Sequence, residues 1–148
     1  MASAMDLQID LHHQCFDPLA VLQSWHQRVD CPAEALFLGR VRSHSANGSP
    51  LEALELEHYP GMTEQQLRLL ANEIGCLHDA RSCLIQHRVG RVQPGDVIVL
   101  VAVGADRRGP AQRCCQQLLE ALKHEAPFWK REWLADGRGH WLTGNTPL

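Results

Sequence analysis

The sequence predicts a single α+β domain of mostly antiparallel strands with about three helices. Three observations carry this. The chain has 148 residues, enough for one domain that buries about two thirds of its unfolded surface without stapling. Short segments of alternating or wholly apolar residues are punctuated by turn signals at Asn47-Gly48, Pro94-Gly95 and Gly137-Arg138-Gly139. Three further stretches carry apolar residues at helical spacing behind an N-terminal cap or proline. Residues 1–148 contain no linker and no internal repeat.

In chain order, Leu7, Ile9 and Leu11 alternate with polar residues and predict a half-buried strand. Asp17 can cap a helix with Pro18 at its first position, and Leu19, Leu22 and Trp25 recur at helical spacing before Cys31-Pro32 ends it. Ala33 to Arg42 reads as a strand with a basic far end. The loop 43–50 with its Asn47-Gly48 turn should join that strand to LEALELEHY as a hairpin, with Leu54 and Leu56 inward and Glu55 and Glu57 outward. Thr63 and Gln66 have the spacing of a capping box before a helix whose stripe is Leu67, Leu70, Ala71 and Ile74, ending at Gly75. Cys83, Ile85, His87 and Val89 alternate as a strand, and VIVLVAVG, apolar on both faces, predicts a central one. His58 and His87 fall on inward-pointing positions, as core or pocket-wall histidines. A helix should run from Pro110 to about His124 with Ala111, Cys114, Cys115, Leu118 and Leu122 on one face, followed by a last hairpin.

Composition excludes several functions. The net charge is −3, which gives no basis for non-specific nucleic-acid binding. The longest apolar run, Val97 to Val103, is too short to cross a bilayer, and six cysteines without a CxxC pair predict a cytoplasmic protein with reduced thiols. There is no HExxH, no zinc spacing, no Walker loop and no GxGxxG, so neither a metal nor a bound cofactor is expected.

The chemistry concentrates in 122–132, LKHEAPFWKRE. Of 14 basic residues 12 are arginine, and both lysines, Lys123 and Lys130, lie in this stretch. Arginine stays charged, whereas a lysine amine can lose its proton when burial or a neighbouring cation lowers its pKa. Pro127 must end the helix, placing Lys123 on its last turn and Lys130 on an extended segment where the two amines can converge. Arginines 40, 42, 107, 108 and 131 should add an anion-binding cluster, with Arg107 and Arg108 at a helix N-terminus. Phe128 and Trp129 make the composition suit a flat anionic small molecule.

Four motifs in this order, FLGRVRSHS (37–45), LELEHYPGM (54–62), HRVGRVQPGD (87–96) and LKHEAPFWKRE, carry a specific resemblance over roughly Ala33 to Trp141. The sequence resembles the MoaE family, the large catalytic subunits of molybdopterin synthase. The resemblance implies an α/β hammerhead-type fold and a sulfurtransferase of molybdenum cofactor biosynthesis. Such an enzyme converts cyclic pyranopterin monophosphate to the dithiolene molybdopterin with sulfur from the C-terminal Gly-Gly thiocarboxylate of a small ubiquitin-like subunit. It further implies a homodimer of large subunits within a heterotetramer. By motif, the catalytic lysines are Lys123 and Lys130, and the substrate contacts are Phe37, Arg40, Val41, Arg42, Asp106, Arg107, Arg131 and Glu132. Asp106-Arg107 stands where the family usually has His-Arg, and the tail TGNTPL lacks the arginine some members donate across the dimer, a role Arg138 could take. Two other readings stay open: a homologue that binds the partner's tail without turnover, and a Schiff-base lysine enzyme acting on a phosphorylated carbonyl compound.

Overall fold

The computed structural model describes residues 4–142. The elements are β1 (Asp6–His12), α1 (Pro18–Arg28), β2 (Ala33–Arg40), β3 (Leu51–Glu57), α2 (Met62–Leu77), β4 (Ser82–Arg88), β5 (Gly90–Val92), β6 (Val97–Ala105), α3 (Arg108–His124), β7 (Trp129–Leu134) and β8 (Gly139–Trp141). They form two four-stranded sheets, β1-β4-β6-β2 and β5-β3-β7-β8. Every pair is antiparallel except β1 with β4. Three helices and these sheets make the α+β domain the sequence predicts.

The first sheet is covered on both faces, which explains why VIVLVAVG has no polar side. Leu84, Leu100 and Ala102 face α1 and enclose Trp25, whose indole N–H donates to Ser82 Oγ at 2.9 Å. Ile85, Val99, Val101 and Val103 point the other way, onto Leu67, Ala71 and Ile74 of α2 and Cys114, Cys115, Leu118 and Leu122 of α3. Because side chains alternate along each strand, β4 and β6 are sealed on both sides and tie three helices to one sheet. The second sheet has a small core of Val41, Leu56 and Val92. Phe128 and Ile98 pack against this core and against that of the first sheet, and so join the two.

Local signals set the ends of these elements with three corrections. Asp17 caps α1 as expected, its Oδ1 accepting from the amides of Leu19 and Ala20 at 3.1 and 3.2 Å. The cap of α2 is Gly61, at φ 84°, and not Thr63. The Glu64 carboxylate accepts from the Gly61 amide at 3.0 Å, while Thr63 Oγ1 is used by the amide of Tyr59. That helix continues past Gly75 to Leu77, because Gly75 is needed inside it. A Cβ there would lie 2.3 Å from the sulfur of Met5. In α3, Arg107 is the cap and Pro110 sits inside the first turn.

The larger correction concerns β2 and β3. The Asn47-Gly48 turn forms, with Gly48 at φ 86°, but only the stub Ser43–Leu51 pairs across it. The Val41 amide donates to the Asp96 carbonyl and its own carbonyl accepts from Gly95, both at 2.9 Å. This pins the end of β2 to the β5–β6 turn. β2 therefore stays with β6 in the first sheet, and β3 crosses to the second, between β5 and β7. His58 falls just beyond β3, half-buried beside His13 with ring centroids 5.7 Å apart. None of the six cysteines is paired, and no helix among the described residues is long and apolar enough to cross a membrane.

Candidate active site

The junction of the two sheets collects the residues with unusual chemistry. Lys123 lies in the last turn of α3. Pro127 stops the helix, and within five residues the chain has turned into β7, with the Ala126 amide bonded to Ala121 and that of Phe128 to Ala126. Lys130 then sits on β7 opposite Leu56, one of the most deeply buried residues of the second sheet. Directly opposed residues of an antiparallel pair share a face, so Lys130 points inward. Burial lowers its pKa, and the positive charge of Lys123 lowers it further. The two lysines do converge, and the cost of holding two cations together in partly desolvated space favours the neutral form of Lys130.

His87 forms the wall of this junction. It is 4% exposed, stacks on Phe128 with centroids 4.5 Å apart and planes at 22°, and its Nδ1–H donates to the Arg88 carbonyl at 2.7 Å. Burial holds its pKa down to about 4, with Lys130 adding to the depression, so the ring is neutral at pH 7. Gly39 and His87 are both register partners of Val99. A Cβ on Gly39 would lie 2.9 Å from the ring of Phe37 and 3.0 Å from Val99. Only glycine lets the Phe37 ring lie across the strand here, and that ring is still 40% exposed. Val41 is buried with Leu56 in the second sheet's core, so the strand end Arg40 to Arg42 borders the same corner. Arg40 reaches the Gly95 carbonyl at 3.4 Å, and Arg42 is exposed.

Other expected site residues are either engaged by neighbours or distant from this corner. Strand alternation separates Arg131 from Lys130. Arg131 is on the outer face of β7, its guanidinium 4.0 Å from the centroid of Trp141 and 5.1 Å from that of Trp133, with Glu55 at 4.0 Å. That arrangement binds β8 to β7 and occupies the arginine. Glu132 shares the Lys130 face but pairs with His140 at 3.3 Å. Arg107 and Arg108 stand at the opposite end of the molecule. Ala105 pairs with Ala33 at one end of β2, and Val99 pairs with Gly39 near the other. Six strand residues separate them by about 20 Å, and the length of α3 from Arg108 to Lys123 is similar, about 22 Å. One chain cannot place both groups on one small molecule.

At that far end Asp106 accepts from Arg81 Nη1 at 2.8 Å, a pair open to solvent, while still lining the hollow that Arg107 borders. The carboxylate that departs from the family pattern is therefore answered by a cation of its own. Arg107, Arg108 and Arg113 surround an open hollow of about 570 Å³ with Pro32 and Ala33. Arg138, in the β7–β8 turn, is held by Asp136 at 2.8 Å, and the tail TGNTPL lies outside the described residues.

Comparisons with known proteins establish the family. Residues 11–125 match the family model described as MoaE protein. The chain belongs to the MoaE family. The match starts earlier than the motifs predict, taking in α1 and the end of β1, and stops at residue 125, short of Lys130 and β7. A relative from Ralstonia nicotianae named molybdopterin synthase catalytic subunit is 46% identical over 105 residues, 71% of this chain and 59% of that protein. The chain thus spans less than two thirds of that relative. One of the same name from Haemophilus influenzae is 37% identical over 137 residues, 93% of this chain and 90% of the relative. The solved structure of the molybdopterin biosynthesis MoaE protein from Burkholderia ambifaria MC40-6 is 40% identical with a TM-score of 0.74, covering 93% of this chain and 88% of that one. Of the residues that matter at the junction, sequence reasoning missed how much His87 contributes, although its place in the HRVGRVQPGD motif beside a sheet crossing marks it.

Proposed function

We propose that this protein is a molybdopterin synthase catalytic subunit, a sulfurtransferase. It moves sulfur from the C-terminal thiocarboxylate of a small ubiquitin-like subunit onto cyclic pyranopterin monophosphate to form the dithiolene. The observation that carries the reading is the convergence of the chain's two lysines at a half-buried corner walled by Phe128 and His87, with the pKa of Lys130 lowered. The thiocarboxylate and the phosphate are both anions, and bringing them together away from water needs fixed cations. Lys123, at the helix end, receives and orients the carrier's terminal glycine. Lys130, whose pKa burial lowers, moves protons as sulfur adds and as the pyran ring and cyclic phosphate open. Phe37, Arg40 and Arg42 line the approach for the pterin, and Val41, expected there as a contact, is instead buried with its amide and carbonyl bonded to Asp96 and Gly95, anchoring the strand end.

Arg107 cannot reach this corner within one chain, so we place it in the site of a second copy, in a homodimer at the centre of a heterotetramer. There the helix N-terminus with three arginines would receive the substrate's phosphate. A homologue that only binds the carrier tail is the competing reading, and the pairing of Asp106 with Arg81 weighs against using that carboxylate in its favour. The test is reconstitution: the chain, a verified thiocarboxylated small subunit and cyclic pyranopterin are mixed and dithiolene product is measured. Carrier binding without product would overturn the reading. Trapping of a substrate adduct by borohydride would replace it with Schiff-base chemistry.

A further inference from the structure

The imidazole of His87 is used on one side only. Its Nδ1 faces a carbonyl oxygen 2.7 Å away, and a carbonyl can only accept, so the proton is on Nδ1 and Nε2 carries a bare lone pair. Among the described residues Nε2 has no hydrogen-bond partner. Nor is it one of the sealed unpartnered atoms, which are Arg88 Nε, Glu120 Oε1 and Trp133 Nε1. A ring that is 4% exposed thus keeps open the one nitrogen that needs a donor. The donors nearby are the amines. Phe128 stacks on this ring, and Lys130 lies two residues further along the chain on the same inward face, about 7 Å on. Lys123 approaches from α3. Glu132, next on that face, is taken by His140, and no carboxylate contributes to the field at His87, where only the Arg88 carbonyl and Lys130 act besides burial.

We propose that His87 is the positioning residue for Lys130: the Arg88 carbonyl fixes the tautomer, and Nε2, unpartnered among the described residues, accepts a hydrogen bond from the Lys130 ammonium when the amine swings onto it. That bond sets where the amine stands and which protonation state it holds before it acts. Since the ring resists a second proton, it can hold the ammonium without competing for its charge. The inference rests on Lys130 working at this corner, and so deepens the synthase reading.

Its test does not need turnover. With only two lysines in the chain, selective 13Cε and 15Nζ lysine labelling gives two side-chain signals, assigned with Lys123→Arg. His87→Phe keeps the stack on Phe128 and removes the acceptor, and His87→Gln returns an acceptor close to the Nε2 position. Losing a bond to the ammonium disfavours the charged form, so Lys130 in the Phe variant should titrate about one pH unit lower than in the wild type. In the synthase assay kcat should fall about tenfold with KM unchanged, and the Gln variant should recover most of both effects. An unchanged Lys130 titration in His87→Phe, or a Gln variant no better than Phe, overturns the proposal. Should the Phe variant not fold, 15N imidazole shifts of the wild type decide: the Nδ1–H tautomer with an Nε2 signal that moves in Lys130→Met supports it, and an Nε2 signal indifferent to Lys130 refutes it. A wild type that makes no dithiolene yet shows the titration effect refutes the synthase reading alone.

Discussion

The two ends of the first sheet concentrate positive charge in opposite ways. At one end, Lys123 and Lys130 stand against Phe128, His87 and Leu56, half-buried, and the surroundings change what the charge is. At the other, Arg107 and Arg108 lie exposed around an open hollow, and Asp106 and Arg81 neutralise each other in solvent. Both ends are cationic, but only the first can do acid–base chemistry, because desolvation moves an amine's pKa towards neutrality while a guanidinium stays protonated anywhere. On the proposed function this is a division of labour, with reaction assigned to the buried end and recognition to the open one. If the two serve one substrate, they do so from different chains.

The sharpest way to break this division is at Lys130. Lys130→Ala should lower dithiolene formation by about a thousandfold or more, within the range of a lost general acid–base. Lys130→Arg should fall nearly as far, about a hundredfold, because it restores charge and not proton transfer. Full activity in the Arg variant would mean that the buried end also acts by charge alone, and the contrast would collapse. Next in size is Arg107→Ala, expected to raise KM about tenfold or more through one lost charge-assisted contact to phosphate. Mixing it with Lys130→Ala tests the geometry. In a mixed dimer one site has an intact lysine from one chain and an intact arginine from the other, so random exchange should restore roughly a quarter of wild-type activity. No recovery would place both groups in the same chain's site, against the separation of about 20 Å along the strands.

His87 makes the buried end visible in stability. Its folded pKa of about 4 lies below the unfolded value of 6.5, so between these the unfolded chain binds more protons. Stability is then full above pH 6.5 and is lost as pH falls towards 4. The loss amounts to about 3 kcal/mol, because each pH unit between the two values contributes roughly 1.4 kcal/mol. Denaturant unfolding from pH 7 to 4 should show this limb in the wild type and lack it in His87→Phe. A limb equally steep in both would mean the imidazole is not sealed in the way its stack on Phe128 implies.

What the sequence reveals divides along the same line between local and long-range causes. Asp17, the alternation in β3, the doubly apolar β6 and the Pro127 break are local, and each is found as the sequence predicts. The convergence of Lys123 and Lys130 was legible because a helix end, a proline and one strand suffice to produce it. The β2–β3 hairpin was not. Asn47-Gly48 specifies a turn, but which strands pair beyond it depends on Val41 bonding to Asp96 and Gly95, far along the chain. The Thr63 capping box failed because the Tyr59 amide takes its hydroxyl first. Arg131 could have been separated from Lys130 by period-two alternation alone, once 129–134 was accepted as a strand. Placing Arg107 far from the lysines needed the pairing of Ala33 with Ala105, a contact that no motif announces.

The smallest expected effect concerns the residue that looked most damaging. A carboxylate beside an arginine proposed to bind phosphate should repel the ligand, and Asp106→His would then raise activity strongly. The structure turns Asp106 onto Arg81, across solvent-exposed space where a paired charge is well screened. Restoring the family's histidine should therefore change kcat/KM by less than about threefold, in the range of surface charge changes. Arg81→Ala should matter more than Asp106→His, because it frees the carboxylate next to Arg107 and lets it oppose the ligand. The measurement is KM for the pterin in both variants at low and at about 0.5 M salt, the latter shrinking any real repulsion as the Debye length falls to roughly 4 Å. A large gain from Asp106→His that disappears at high salt would show that Arg81 does not hold the carboxylate away, and that the open end recognises less well than its three arginines imply.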